Sequence, residues 1–236
     1  ATPVASPIVF GATLSSATLG GGSASNTGTG GSFAFAAPNS TPPAGTANYS
    51  VTYTPNDTAN YNTVNNIQVS VEVLPANLSI TIDDTNVTYD GTAKDVTVTT
   101  DPAGLSYDIT YTGIEGTTYG PSSTAPTEAG SYNVTVDVDN GTYAGHESTT
   151  LTIGRATASI QISGKSKTYN GSAQGVSVTA DDDYSVTYDG SETVPTDAGS
   201  YDVVVTVNTR NYTGSASDTL TIGRATASIQ ISGKSK

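Results

Sequence analysis

The chain has 236 residues with no Cys, Met or Trp, and its aromatic residues are fourteen Tyr and three Phe. A formal charge of -13 excludes an ordinary nucleic-acid binder, which neutralises phosphates with Lys and Arg, and argues against docking on anionic lipid. The lack of Cys excludes a disulfide framework and thiolate metal sites, and no run of about 18 apolar residues is present to span a membrane as a helix.

Thr, Ser, Val, Gly and Asn dominate, which favours strands and turns, because β-branched residues and Tyr suit a pleated, half-buried surface. Few large apolar residues are available for one core. Several domains of about 70–80 residues, each with a modest core, fit better. The charge is uneven: residues 1–76 carry -2, 77–154 carry -10, 155–222 carry -4 and 223–236 carry +3. The opening Ala1-Thr2-Pro3 reads as mature or internal sequence, not as a leader peptide.

Taken in chain order, the first 76 residues hold a Gly/Ser-rich run from Gly20 to Gly31. Ala44-Gly45, Tyr49-Ser50-Val51-Thr52-Tyr53, Ala59-Asn60-Tyr61 and Val69-Ser70-Val71-Glu72-Val73 follow. In 77–154, strands are expected at 78–83, 94–100, 106–112 and 147–153. Between the last two, Tyr132, Val134, Val136 and Val138 alternate with Asn133, Thr135, Asp137 and Asp139, the period of a half-buried strand. In 155–222 the counterparts are 157–163, 174–180, 184–188 and 216–222. Tyr201, Val203, Val205 and Val207 repeat the alternation there, with Val204 making the other face apolar too.

Internal repetition is the strongest signal. Residues 153–167 read IGRATASIQISGKSK, and residues 222–236 are the same fifteen residues. Looser landmarks run between the two copies. Tyr89-Asp90-Gly91 answers to Tyr169-Asn170-Gly171, and Ala129-Gly130-Ser131-Tyr132 to Ala198-Gly199-Ser200-Tyr201. Gly141-Thr142-Tyr143 answers to Arg210-Asn211-Tyr212. The expected organisation is a divergent Ig-like unit at 1–76 and related units at 77–154 and 155–222. Residues 223–236 are then the first strand of a further unit. About six short strands per unit, broken by Asp-Gly, Asn-Gly and Ala-Gly turns, predict an all-β chain of tandem small Ig-like sandwiches. The alternative is a β-grasp-like unit with a short helix near 117–128. The connections Leu74-Pro75-Ala76 and Gly154-Arg155-Ala156 are too short to bend freely, so a semi-rigid rod of roughly 100–130 Å is expected from the rise of a strand.

The order YDG…AGSY…NGTY…LTIG resembles the tandem MBG/YDG-type repeats of large bacterial surface adhesins. The resemblance covers residues 77–236, with Asn170 in place of the Asp of YDG. Residues 1–76, through Tyr53-Thr54-Pro55-Asn56-Asp57-Thr58-Ala59-Asn60-Tyr61, resemble the Ig-like repeats that precede such domains. The resemblance implies a secreted cell-surface stalk that holds a binding tip away from the cell, and it carries no catalytic residues.

Candidate sites are few. His146 is the only histidine, in a turn where the neighbouring unit has Gly214-Ser215-Ala216. A general base needs a pocket and an orienting partner, so the chain does not read as an enzyme. Calcium, which takes about six to eight oxygens, has its best candidates at Asp137 and Asp139 and at Asp181 and Asp183, with Asp83-Asp84 a third acidic pair. The competing reading is a solvated turn at each place, and no other cofactor is expected. Lys94 faces Gln174 in the repeat alignment, which argues against a Lys crosslink. Tyr132, Tyr201 and Tyr49 sit at strand starts, where a ring packs inward and its hydroxyl reaches the backbone, rather than stacking on glycans.

Three functions are therefore in contention. The first is a structural stalk whose partners are neighbouring repeats. The second is a filament or surface-layer subunit that joins copies of itself by β-strand addition through 223–236. The third is a glycan- or protein-binding module, which needs an exposed aromatic or apolar patch.

Overall fold

The computed structural model describes residues 1–25 and 30–230. In the first unit, β1 (Val4–Ala5) pairs with β3 (Leu19–Gly20), and a 3-10 turn, Leu14–Ser16, lies between them. A second sheet holds β4 (Gly31–Phe35), β5 (Gly45–Pro55) and β6 (Val64–Leu74) as an antiparallel meander. The short β2 (Ile8–Val9) lies parallel to the end of β6.

The middle unit elaborates this plan. Its strands are β7 (Ala76–Asn77), β8 (Ser79–Asp83), β9 (Asn86–Thr88), β10 (Thr97–Asp101), β11 (Asp108–Ile114), β12 (Gly130–Asp139) and β13 (Tyr143–Gly154). Strands β11, β12 and β13 form the antiparallel meander, and β7 and β9 lie parallel to the start and the end of β13. Between β7 and β9 the chain leaves this sheet, so that β8 can pair with β10 in the facing layer. The third unit repeats the arrangement with β14 (Ala156–Thr157), β15 (Ile160–Ser163), β16 (Ser166–Thr168), β17 (Ser177–Ala180), β18 (Tyr184–Tyr188), β19 (Gly199–Asn208) and β20 (Tyr212–Gly223). Among the described residues, each strand pairs only with strands of its own unit.

Alternation decides which face is buried. Tyr132, Val134, Val136 and Val138 of β12 point into the core, as do Val203, Val205 and Val207 of β19, while Val204 on the other face is exposed. The facing layer contributes cross-strand pairs, Ile82 opposite Val98 and Ile162 opposite Val178, which pack on Leu151 and Ile153 or on Leu220 and Ile222. Deleting one such aliphatic side chain to Ala costs about 2–5 kcal/mol. The β12–β13 register runs from Gly130↔Ile153 to Asp139↔Ala144, and the β19–β20 register from Gly199↔Ile222 to Asn208↔Thr213, the same ladder moved by one repeat.

The chain is all-β, as expected: small two-layer units of sandwich type. No α-helix occurs among the described residues, so the helix of the β-grasp alternative is not found at 117–128. That segment folds back on the outer edge of β11 instead. Tyr111 exchanges backbone hydrogen bonds with Ser122, and the Gly113 amide donates to the Tyr119 carbonyl. Pro121 and Pro126 lack the N–H a helix needs, and Gly116 and Gly120 have positive φ. Several strands outrun their expected limits. The strand expected at 147–153 begins at Tyr143, and that expected at 216–222 begins at Tyr212. Of the expected strand at 223–236, β20 takes Gly223, residues 224–230 hold no strand, and 231–236 lie outside the described residues.

Candidate functional site: the joints between units

The unit boundaries carry the most repeated side-chain geometry. After β6 the chain crosses Pro75, and the Ala76 amide donates to the Thr142 carbonyl at the tip of the β12–β13 hairpin (2.8 Å). After β13 it crosses Arg155, and the Ala156 amide donates to the Asn211 carbonyl at the tip of the β19–β20 hairpin (2.8 Å). On the other side of each boundary an aromatic residue is fixed to the end of the unit's last strand. The Phe10 amide donates to the Leu74 carbonyl and the Tyr89 amide to the Gly154 carbonyl, both at 2.8 Å.

These two rings meet the hairpin of the next unit edge to face. Phe10 stands against Tyr143 with centroids 5.8 Å apart and planes at 74°, and Tyr89 against Tyr212 at 5.4 Å and 81°. Such T-shaped pairs contribute about 0.5–1.5 kcal/mol beyond the area they cover. Burial pushes the Tyr212 phenol above its ordinary pKa, with Tyr89 and the acids Asp181 and Asp182 acting in the same direction.

The second joint adds a polar clasp. Asn211 donates through Nδ2 to Glu128 Oε2 (2.5 Å) and accepts at Oδ1 from the Ala129 amide (2.9 Å). Arg210 Nε reaches the Ala129 carbonyl at 3.5 Å, and linker Arg155 donates to Asn208 Oδ1 (2.6 Å) and to the Thr209 carbonyl (3.2 Å). At the first joint Gly141-Thr142 stand where Arg210-Asn211 stand here, so side chains for an equivalent clasp are missing.

A family model described as MBG domain matches residues 78–157 and again 158–226, well over half of the chain. The chain belongs to the MBG domain family. Comparison with curated proteins gives no match. The family boundary falls after Thr157, yet Ala156 and Thr157 already pair with Tyr212 and Thr213 of β20. Unit 1 lies outside both matched ranges but shares their meander, parallel edge strand and ring position.

The joints explain the motif residues of the MBG units. In Tyr89-Asp90-Gly91, the Tyr is the joint ring. The Asp90 carboxylate accepts from the Thr92 amide (2.9 Å) and hydroxyl (2.6 Å), and Gly91 takes positive φ. Lys94 Nζ lies 2.5 Å from Asp90, and together with Thr92 it holds the carboxyl far below the usual carboxylate range. Asn170 accepts from the Ser172 amide (2.9 Å) and so does the work of the Asp it replaces. In the Ala-Gly-Ser-Tyr motif, Tyr132 donates to the Glu128 carbonyl (2.6 Å) and Tyr201 to the Asp197 carbonyl (2.9 Å), the hydroxyl-to-backbone role expected of them. Tyr49 packs against the core of unit 1.

The other sequence candidates form no common site, although His146 meets Asp137 and Asp181 acts on the joint residue Tyr212. His146 Nδ1 lies 2.6 Å from Asp137 Oδ1, both side chains exposed on neighbouring strands. Asp139 accepts from the Gly141 amide (3.3 Å), and Asp181 from the Ser159 amide (2.7 Å). The Asp183 amide donates to Asp182 (2.8 Å), whose other oxygen accepts from Thr209 (2.6 Å). Among the described residues, no three His, Cys, Asp or Glu side chains come together as a metal would need. No helix among them is long and apolar enough to cross a membrane.

Sequence reading placed Arg155 in a short connection without its side-chain role, and it missed Phe10, Glu128 and Asn211 as joint residues. The usable signal was that Tyr143 and Tyr212, and likewise Tyr89 and Tyr169, hold the same place in successive units beside short linkers.

Proposed function

We propose that this chain is a stalk segment of a repetitive, secreted cell-surface protein, in which MBG units in series extend a binding tip away from the cell. The role is mechanical and not catalytic. The observation that carries it is the recurrence of one joint: a short linker, an aromatic ring fixed to the last strand, and a hairpin tip that meets the ring. A joint made the same way at successive boundaries sets successive units in a repeated relation, which is how a rod is built. The acidic surface, with a net charge of -13, supports the reading because neighbouring copies repel one another. Small-angle scattering of the chain tests it. An elongated monomer of roughly 100–130 Å is expected from the strand rise, and a compact particle would sink the proposal.

A second reading is assembly of copies by β-strand addition through 223–236. The observation on its side is Ile229, 83 % exposed within residues 224–230, which pair with no strand. Deleting 224–236 separates the two: an assembling subunit loses its concentration-dependent growth, whereas a stalk segment keeps its solution size.

A further inference from the structure

The far end of unit 3 carries half of the joint that unites units 2 and 3. We propose that this end face is a docking surface for a further MBG unit, which it grips by that unit's own hairpin tip through an Asn and a Tyr equivalent to Asn211 and Tyr212. The inference rests on the serial reading above and specifies the contact that would continue the series.

Three features of the end face match the occupied joint. The Tyr169 amide donates to the Gly223 carbonyl at 2.8 Å, the bond that fixes Tyr89 to Gly154 and Phe10 to Leu74. Tyr201 bonds the Asp197 carbonyl as Tyr132 bonds that of Glu128, so Asp197-Ala198 is presented where Glu128-Ala129 grips Asn211. Arg224-Ala225-Thr226-Ala227 repeats Arg155-Ala156-Thr157-Ala158, and with Tyr169 and Ala198 it lines a hollow of about 350 Å³.

The difference lies in covering. Ala129, beneath the unit-3 tip, is 7 % exposed, whereas Ala198 is exposed; Tyr89 is half-buried, whereas Tyr169 is 40 % exposed. The chemistry on offer is a ring, a carboxylate and a backbone strand-start, which is what an Asn-Tyr tip requires. A folded second copy is a poor occupant. Its unit-3 tip is held by Glu128 and Ala129, its unit-2 tip carries Tyr143 against Phe10, and in its unit-1 tip Asn60 is already bonded to Asp57. The fitting partner is therefore a unit joined in series beyond Lys236. Residues 222–236 already reproduce the entry sequence 153–167 that such a unit needs.

The test extends the full chain with a second copy of residues 168–222 placed directly after Lys236, which completes a fourth unit at unchanged spacing. Hydrogen exchange at the Ala198 amide is then compared in the two chains. Extension should slow it by about tenfold, the protection one added hydrogen bond confers. Asn211→Ala in the appended copy alone should restore the original rate, and Tyr169→Ala should partly restore it. A folded fourth unit that leaves Ala198 unprotected overturns the proposal. So does a fourth unit that stays unfolded beside an intact unit 3, because a working joint supplies the contacts unit 3 receives from unit 2. Ala198 protection in the unextended chain that grows with concentration also overturns it, in favour of a second copy. Scattering from the same samples separates the two readings: a lengthened particle with Ala198 unprotected sinks only the docking surface, whereas a compact one sinks the stalk.

Discussion

Two buried phenols in unit 2 show how a tyrosine-rich core sets a pH limit. Tyr111 is fully buried, donates to Asp95 and accepts from the Val96 amide. Burial, and then the bond to Asp95, raise its pKa well above the ordinary value for tyrosine. Tyr132 is also raised by burial, although Arg210 across the joint works against the rise. A folded pKa above the unfolded one means that the unfolded state loses its protons first. The associated stability is complete below about pH 10, the unfolded value, and is lost as pH climbs toward the folded one. Phenolate absorbance is therefore expected to rise in two phases, the later one including Tyr111 and Tyr132 and coinciding with unfolding of unit 2. A single reversible phase would contradict this. Tyr111→Phe should remove Tyr111 from the late phase and destabilise unit 2 by about 0.5–1.5 kcal/mol, the net worth of a hydrogen bond. The cost is no larger because the Val96 amide keeps its bond to Asp95 and Asp95 is exposed to water.

At the scale of elements, a matched pair of glycines isolates packing from backbone effects. A Cβ on Gly145 in β13 would come within 2.9 Å of Leu78 Cγ, whereas one on Gly214 in β20 would meet Ala158 no closer than 3.5 Å. Neither glycine has positive φ, so the neighbour alone decides. Gly145→Ala should destabilise unit 2 by about 1–3 kcal/mol through overpacking. Gly214→Ala should leave unit 3 unchanged or stabilise it by about 0.4–1 kcal/mol by restricting the unfolded chain. Thermal unfolding of the two variants checks the sign of each.

The same strands show what could be read in advance. Strand β12 was legible because four apolar residues at period two face the core, and the offset of the repeat carried that reading to β19. The first halves of β13 and β20 are polar and half-exposed, and they are strands because a neighbour supplies their ladder, not because of their own pattern. The parallel strands β7, β9, β14 and β16 are two or three residues long, too short to show any period. The joint residues were hidden for a different reason. Phe10 and Tyr89 each depend on a partner in another unit, and local sequence does not encode that distance.

For the whole molecule, the two joints differ in stiffness. The first rests on a ring pair and one backbone bond, while the second adds the Asn211 clasp and the Arg155 anchor. Distances between probes on units 1 and 2 should therefore spread more widely than those between units 2 and 3. Asn211→Ala should widen the second distribution toward the first, with unit 3 itself changed by less than about 1 kcal/mol. An unaltered narrow distribution would show that the clasp does not set the angle.

The parallel edge strands have a mechanical consequence. In units 2 and 3 the chain enters along β7 and β9, or β14 and β16, and leaves along β13 or β20 beside them, in the same direction. Tension on the two ends of a unit drags its first and last strands past one another. The bonds of the β9–β13 ladder, with those of Thr152 to Thr85 and Tyr89 to Gly154, then carry the load together in shear. Force spectroscopy should find abrupt rupture of whole units when the chain is pulled by its ends. Pulling across the β12–β13 hairpin should open it bond by bond at far lower force.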